Sequence, residues 1–429
     1  MLSVSKTNAF SRNFALMETK TKTNEELVLV LKTFYGLEQA LKEELEELGY
    51  ENIEVLNRAV RLKGTWNDVY KLNLYSRCAL SVLVELSTFQ LKEDRDLYKE
   101  ASKIDWTQWF NVDKTFVVKG AVHSSLFSHS QFPFLLVKDA VVDCFRDKVG
   151  DRPDINVKSP QLVIDVYVRE KEGVLSINTS GAPLFHRGYR ESTGEAPLNE
   201  VVAAGLIRMS GWDRKSTFFD PFCGSGTLLI EAALLALGIP SSIERTHYAF
   251  KNLRNYSPEI WQELHDSAHK VVRSMDVKIV GSDIDPQMVL ITKRNLRGFS
   301  FGRFIDVKAE AFQEVEIPEG PGVLVTNPPY GERLMDNIEE LYADIGTTFK
   351  FKMQGYNCWM ISSSEEGFKS VGLKPSRKIK LFNGDLECSF RNYVIFDGAK
   401  KDLWNASTSS ATKEDASATE EAEQQESDQ

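Results

Sequence analysis

A Gly-rich turn, Asp220-Pro221-Phe222-Cys223-Gly224-Ser225-Gly226, joins FFD at 218–220, which reads as the end of a strand, to GTLLIEAALLAL at 226–237, which reads as a helix. A strand that passes straight into a helix must return to its sheet by a crossover, and right-handed crossovers build open parallel sheets. The same alternation runs through the second half of the chain. A helix over about 198–210 precedes the turn, KIVGSD at 278–283 is another strand, and a helix follows from about Pro286 to Arg297. VLVTN at 323–327 and NCWMISS at 357–363 are the third and fourth strands. RKIKLF at 377–382 and CSFRNYVIF at 388–396 are closing strands joined through Asn383-Gly384-Asp385, a strong turn signal. The expected fold class is α/β, with a mainly parallel, doubly wound, Rossmann-like sheet carrying an antiparallel strand near its end.

The first half has a different grammar. ELVLVLKT at 26–33 reads as a strand, and in GLEQALKEELEELGY at 36–50 Leu37, Leu41, Leu45 and Leu48 recur at helical spacing. A strand or hairpin arm at 53–64, a helix from Trp66 to Ser76 and a strand at 80–89 complete a small α+β unit. A second unit starts near Leu91, with a helix at 93–103, TFVVKGAV at 115–122, a helix near 133–149, and strands at 162–170 and 174–180. The polar, Gly- and Pro-bearing stretch 181–197 reads as a connector. The expected organisation is a disordered leader over 1–24, units at 25–90 and 91–180, the connector, an α/β domain over 198–398 and a disordered tail over 399–429. The leader carries Lys6, Arg12, Lys20 and Lys22 against Glu18; an organelle presequence is its second reading, and Met17 is an alternative start.

Composition narrows the partners less than it first suggests. The formal charge is −10, from 52 Lys and Arg against 62 Asp and Glu. Residues 411–429 hold seven acids against Lys413, so the rest of the chain carries only −4, and local basic patches for nucleic acid remain compatible with it. Cys78, Cys144, Cys223, Cys358 and Cys388 form no close pair, which argues against a disulfide scaffold or zinc knuckle and fits a reducing, cytoplasmic compartment. No apolar run approaches the ~20 residues of a membrane span, and the histidines show no metal-ligand spacing. Neither a membrane nor a metal is expected.

Three segments carry chemistry. In the Gly-rich turn, Gly224 and Gly226 lower the cost of a tight backbone path, and Asp220 is placed to receive an ammonium group. Taken alone such a turn is also compatible with packing around no ligand. The missing third glycine of a dinucleotide fingerprint and the missing Walker Lys favour a nucleoside amino acid over NAD or ATP. GSDIDP at 281–286 then offers Asp283 at a strand end to accept ribose hydroxyls, with Asp285 as the cap of the next helix. TNPPYGERL at 326–334 follows a buried-looking strand. Pro328 and Pro329 restrict the turn, so the Asn327 side-chain oxygen and the Pro328 carbonyl can face one amine, and Tyr330 offers a ring to stack on a flipped base.

These motifs, together with YKLNLYSRCALSVLVEL (70–86), LFHRGYR (184–190) and APLNEVVAAGLI (196–207), resemble the THUMP-containing class I S-adenosylmethionine-dependent RNA guanine-N2 methyltransferases, in particular the first module of those acting on 23S ribosomal RNA. The resemblance spans Glu26 to Gly398. It implies a ferredoxin-like N-terminal domain, a THUMP domain at 91–180 that docks structured RNA, and S-adenosyl-L-methionine as cofactor. It places Asp220, Phe222, Gly224 and Gly226 around the methionine portion and Asp283 on ribose. Glu200 falls in the pocket wall, and Glu310 stands where relatives carry an adenine-facing Asp, with Phe312 beside it. Asn327, Pro328, Pro329 and Tyr330 surround the target base.

His186, Arg187 and Arg190 are RNA-contact candidates, as are the clusters Arg58, Arg61 and Lys63, and Lys374, Arg377, Lys378 and Lys380. The expected partner is structured RNA, 23S rRNA or a ribosomal assembly intermediate. A tRNA guanine-N2 methyltransferase is the nearest alternative. DNA adenine and protein glutamine methylation share the amine-binding turn, but the long RNA-docking half argues against both. A non-catalytic RNA-binding assembly factor is opposed by intact Asp220, Asp283 and Asn327. Some relatives carry a second methyltransferase module, and one modification is expected from the single module here.

Overall fold

The computed structural model describes residues 26–191, 197–330, 337–384 and 386–395; the leader, the tail and the 331–334 continuation of the Asn-Pro-Pro-Tyr turn lie outside the described residues. In the first half, β1 (Leu27–Lys32) buries Leu27, Leu29 and Leu31 and leaves Val28, Val30 and Lys32 half-buried, the period-2 signature of a strand with one packed face. Helix α1 (Glu38–Glu47) packs Ala40, Leu41 and Leu45 into the core. The expected hairpin arm at 53–64 is a full hairpin, β2 (Glu54–Leu56) and β3 (Ala59–Gly64). Helix α2 (Trp66–Tyr75) starts where the Asp68 carboxylate accepts the Thr65 N–H at 2.7 Å.

The two N-terminal units share one sheet. Strand β4 (Ser81–Gln90) pairs with β1 through Ser81–Val84 and with β7 (Glu172–Asn178) through Leu83–Gln90. Ten residues are long enough to belong to both units, and a register shift between Glu85 and Ser87 turns the strand from one to the other. With β5 (Phe116–His123) and β6 (Leu162–Arg169), the order is β2-β3-β1-β4-β7-β6-β5. Helices α3 (Asp96–Ser102) and α4 (Phe132–Val149) pack on each other beside β5.

The second sheet is built from β8 (Thr217–Asp220), β9 (Ile279–Asp283), β10 (Asp306–Ala309), β11 (Gly322–Thr326), β12 (Tyr356–Ser362), β13 (Arg377–Asn383) and β14 (Leu386–Val394). Its order is β10-β9-β8-β11-β12-β14-β13, parallel as far as β12 and antiparallel across β14 and β13. This is the doubly wound, Rossmann-like arrangement expected from the motif order. Its helices are α5 (Glu200–Met209), α6 (Thr227–Ala236), α7 (Pro258–Ala268), α8 (Pro286–Leu296), α9 (Ile338–Lys352) and α10 (Glu365–Ser370). Because β8 is followed by β9 on one side and flanked by β11 on the other, the chain reverses direction across the sheet between β8 and β11. That reversal opens a crevice at the carboxyl ends of those two strands. No helix among the described residues is long and apolar enough to cross a membrane.

The two halves meet through buried charge. Glu44 of α1 accepts the backbone N–H groups of Arg77 and Cys78, and the Arg77 guanidinium donates to the Leu234 and Ile239 carbonyls beneath α6. Arg187 was expected to contact RNA; the structure instead buries its side chain completely, against Glu231 of α6 at 3.4 Å. The same guanidinium donates to the backbone oxygens of Ser76, Arg77 and Leu184. A guanidinium with five donors can close several carbonyl ends at once, so the motif that looked like a phosphate contact is a strut between the halves. Arg187→Ala would take from buried Glu231 its ion-pair partner, leaving it the Tyr189 hydroxyl at 3.2 Å, and would open the carbonyls that the guanidinium closes. It is expected to cost about 3–5 kcal/mol in urea unfolding, and a loss under ~1 kcal/mol would contradict this role.

Candidate active site

The crevice between β8 and β11 collects the motifs. Asp220 ends β8 and is almost wholly buried; its Oδ1 accepts the Thr326 hydroxyl at 2.7 Å and the Phe222 N–H at 3.2 Å. Both bonds fall on one oxygen, so Oδ2 is the atom available to an incoming cation. Burial pushes this carboxyl up to about 7, against the help of those two donors. Asp283 ends β9: its Oδ2 accepts the Gly224 N–H at 2.8 Å and its Oδ1 the Asp285 N–H at 2.9 Å. It is half-buried, and desolvation raises its pKa too. Asp285 caps α8 through the Gln287 N–H at 2.8 Å, as its position before Pro286 predicts.

The two glycines have different duties. Gly224 has φ +53° and nothing within 4 Å of where a Cβ would stand, so its outer side borders open space. Gly226 has φ +83°, and a Cβ there would lie 2.6 Å from the Thr292 methyl. Only Gly224 therefore leaves room for a ligand; Gly226 is required by helix α8 packing onto the turn. Thr292 and Asn295 were not singled out from sequence, yet they hold the turn from outside. The Thr292 hydroxyl donates to the Gly224 carbonyl at 2.7 Å and the Asn295 amide to the Ser225 carbonyl at 3.0 Å. Their i, i+3 spacing on α8 puts them on one face. That signal becomes readable only once the helix is known to pack on this turn.

Arg190 belongs to the same support. It was expected on RNA, but its guanidinium pairs with Glu200 at the start of α5 and donates to the Leu198 carbonyl at 2.8 Å and the Thr227 hydroxyl at 2.9 Å. Glu200 thus stands in the wall, with its charge answered by Arg190. His186 lies against the Phe185 ring at 4.4 Å, and desolvation, aided by Arg245, lowers its pKa. On the far side Phe222 stacks on Phe312 at 5.1 Å, an apolar wall next to Asp220. Glu310 is half-buried one residue beyond β10, and its N–H donates to the Asp283 carbonyl at 3.1 Å, so the two acids are neighbours across strand ends.

At the end of β11, Asn327 Oδ1 is buried and has no hydrogen-bond partner among the described residues. Pro328 beside it is buried, and the Pro329 carbonyl accepts the Tyr342 hydroxyl at 3.3 Å. Tyr330 is half-buried, and its hydroxyl accepts the Asn383 amide of β13 at 3.0 Å. The turn is thus anchored at Pro329 and Tyr330 while the acceptor of Asn327 stays open. Among the described residues no group of three or more His, Cys, Asp or Glu is arranged to hold a metal.

Three family models match in series: an RlmL ferredoxin-like domain over residues 28–83, a THUMP domain over 92–178 and an RMKL-like methyltransferase domain over 187–392. The chain belongs to the THUMP-containing methyltransferases. Ribosomal RNA large subunit methyltransferase K/L of Psychromonas ingrahamii is 36% identical over 373 residues, covering 85% of this chain and 50% of that protein. The protein of the same name from Shewanella amazonensis is 38% identical over 368 residues, covering 84% and 52%. The chain therefore spans about half the length of these curated relatives. A protein assigned to the methyltransferases and solved in complex with SAH superposes with a TM-score of 0.77 at 26% identity, covering 88% of this chain and all of that one.

Proposed function

We propose that this THUMP methyltransferase module transfers a methyl group from S-adenosyl-L-methionine to the exocyclic N2 amine of a guanine in large-subunit ribosomal RNA, acting in the cytoplasm. The observation that carries the reading is the buried Oδ1 of Asn327, without a hydrogen-bond partner among the described residues, at the reversal point of the sheet. A buried acceptor left open costs about 1–3 kcal/mol, so its retention needs a donor that arrives with substrate. An aromatic amine has two hydrogens to give, and the Pro328 carbonyl is the second acceptor on the same turn.

The rest of the crevice fits the cofactor. Asp220 Oδ2 suits the amino acid ammonium, the open side of Gly224 admits the chain, and Asp283 suits the ribose hydroxyls. Phe222 and Phe312 give an apolar surface beside them, with Glu310 at the adenine end. When bound, the cofactor supplies an electrophilic methyl group. The protein's part is orientation: Asn327 and the Pro328 carbonyl hold the amine hydrogens, turn the nitrogen lone pair out of the ring plane and stabilise the positive charge that grows on nitrogen. The THUMP match and the names of the relatives support RNA, and ribosomal RNA in particular, as the substrate.

Nucleoside mass spectrometry on separated rRNA and tRNA from cells with and without the protein tests the proposal. The expected result is loss of N2-methylguanosine from large-subunit rRNA alone. Loss confined to tRNA, or loss of a methylated adenine instead, would overturn it.

A further inference from the structure

Strand β13 is the outer edge of the catalytic sheet, and it ends at the residue that holds the catalytic turn, Asn383. Lys374, Arg377 and Lys378 at its start are exposed and have no ion pair among the described residues, while Lys380 pairs with Glu387 at 2.8 Å. Residues two apart in a strand share a face about 7 Å apart, so Lys378, Lys380 and Phe382 form one row along β13, while Arg377, one residue out of phase, belongs to the other face. The first half of the chain meets this row. Tyr35, 40% exposed, packs its ring edge-to-face with Phe382 at 5.9 Å. The contact is fixed by Gly36, where a Cβ would lie 2.6 Å from the Lys380 carbonyl oxygen and where φ is +89°.

We propose that this edge is the track for the RNA strand flanking the target nucleotide: Lys374 and Lys378 take its phosphates, and the Tyr35–Phe382 pair offers a stacking surface to a base next to the one presented to Asn327. The occupant is argued from charge and shape together. A net positive row stands on a protein of net charge −10, its spacing is of the order of successive phosphates on an extended strand, and it leads to an aromatic pair whose Phe382 precedes Asn383, the residue that holds Tyr330. The track requires both halves of the molecule, since Tyr35 comes from the ferredoxin-like region and Phe382 from the methyltransferase sheet. This deepens the proposed function and rests on its RNA reading.

The test uses the full chain, a fluorescent oligouridylate and purified large-subunit rRNA. In the variant Lys374→Ala/Lys378→Ala, two lost contacts are expected to reduce the slope of log affinity against log salt for the oligouridylate by about 1.4, with S-adenosylmethionine affinity unchanged. Tyr35→Ala is expected to weaken binding about 5- to 150-fold, and Tyr35→Phe, which keeps the ring, to restore it. An unchanged salt slope, or equal loss in Tyr35→Phe and Tyr35→Ala, overturns the track. Methylation of rRNA by wild-type protein is measured alongside. N2-methylguanosine formed at the wild-type level together with an unchanged slope sinks the track alone. Failure of the wild type to methylate any RNA sinks the underlying reading with it.

Discussion

Asn327→Ala is expected to lower methyl transfer by about 10²- to 10³-fold while leaving S-adenosylmethionine affinity within about twofold, the size of effect seen when a single preorganised polar group is removed from a transition state. The reasoning is local. Asn327 Oδ1 has no hydrogen-bond partner to lose among the described residues, so the substitution is expected to be neutral or mildly stabilising. Asp220 and Asp283, the groups proposed to bind the cofactor, are held by Thr326, Phe222, Gly224 and Asp285, none of which forms a hydrogen bond with the Asn327 side chain among the described contacts. The loss should therefore appear in kcat under saturating cofactor, with RNA affinity moved little. Normal turnover by the variant would falsify the role assigned to the turn.

That separation of duties shows where sequence reasoning reached and where it stopped. Asp220, Asp283 and Asn327 were legible because each stands at the carboxyl end of a strand, a place that alternating strands and helices mark without any knowledge of packing. The antiparallel close was legible for a similar reason: Asn383-Gly384-Asp385 reads as a hairpin turn, and Gly384 adopts φ +63° there. What failed was the assignment of cations. Arg187 and Arg190 sit in one short basic motif, and a sequence shows that a guanidinium is present without showing what faces it. Their partners Glu231 and Glu200 lie 44 and 10 residues away, and only the fold brings them in.

The two N-terminal units were likewise read as successive, because β4 looks in sequence like the last strand of one. Its length was the clue that it serves both, through β1 on one side and β7 on the other. Helix α7 and strand β10 were not anticipated. The first follows a long irregular stretch, and the second is a four-residue edge strand with one fully buried side chain, too short to show a period.

Asp220→Asn is expected to weaken S-adenosylmethionine binding about 10- to 100-fold at pH 8 while raising the stability of the free protein at that pH. The opposite signs follow from one carboxyl. Burial raises its pKa from 3.8 to about 7, so the fold favours the neutral acid. The stability that this group contributes is complete below about pH 4 and is lost as pH rises to about 7, a swing on the order of 4 kcal/mol. Asparagine keeps a neutral side chain at all pH, and an oxygen in the Oδ1 position still accepts from Thr326 and Phe222.

The cofactor's ammonium, in contrast, requires the ionised carboxylate. Wild-type affinity should thus fall by up to about tenfold per unit as pH drops below 7, where an α-amino group is itself fully charged. Binding near pH 6 should release a proton, seen calorimetrically as an enthalpy that changes with the ionisation heat of the buffer. In Asp220→Asn the affinity should be flat over that range, with no proton released. A wild-type affinity independent of pH between about 5 and 8 would show that Asp220 does not carry the ammonium.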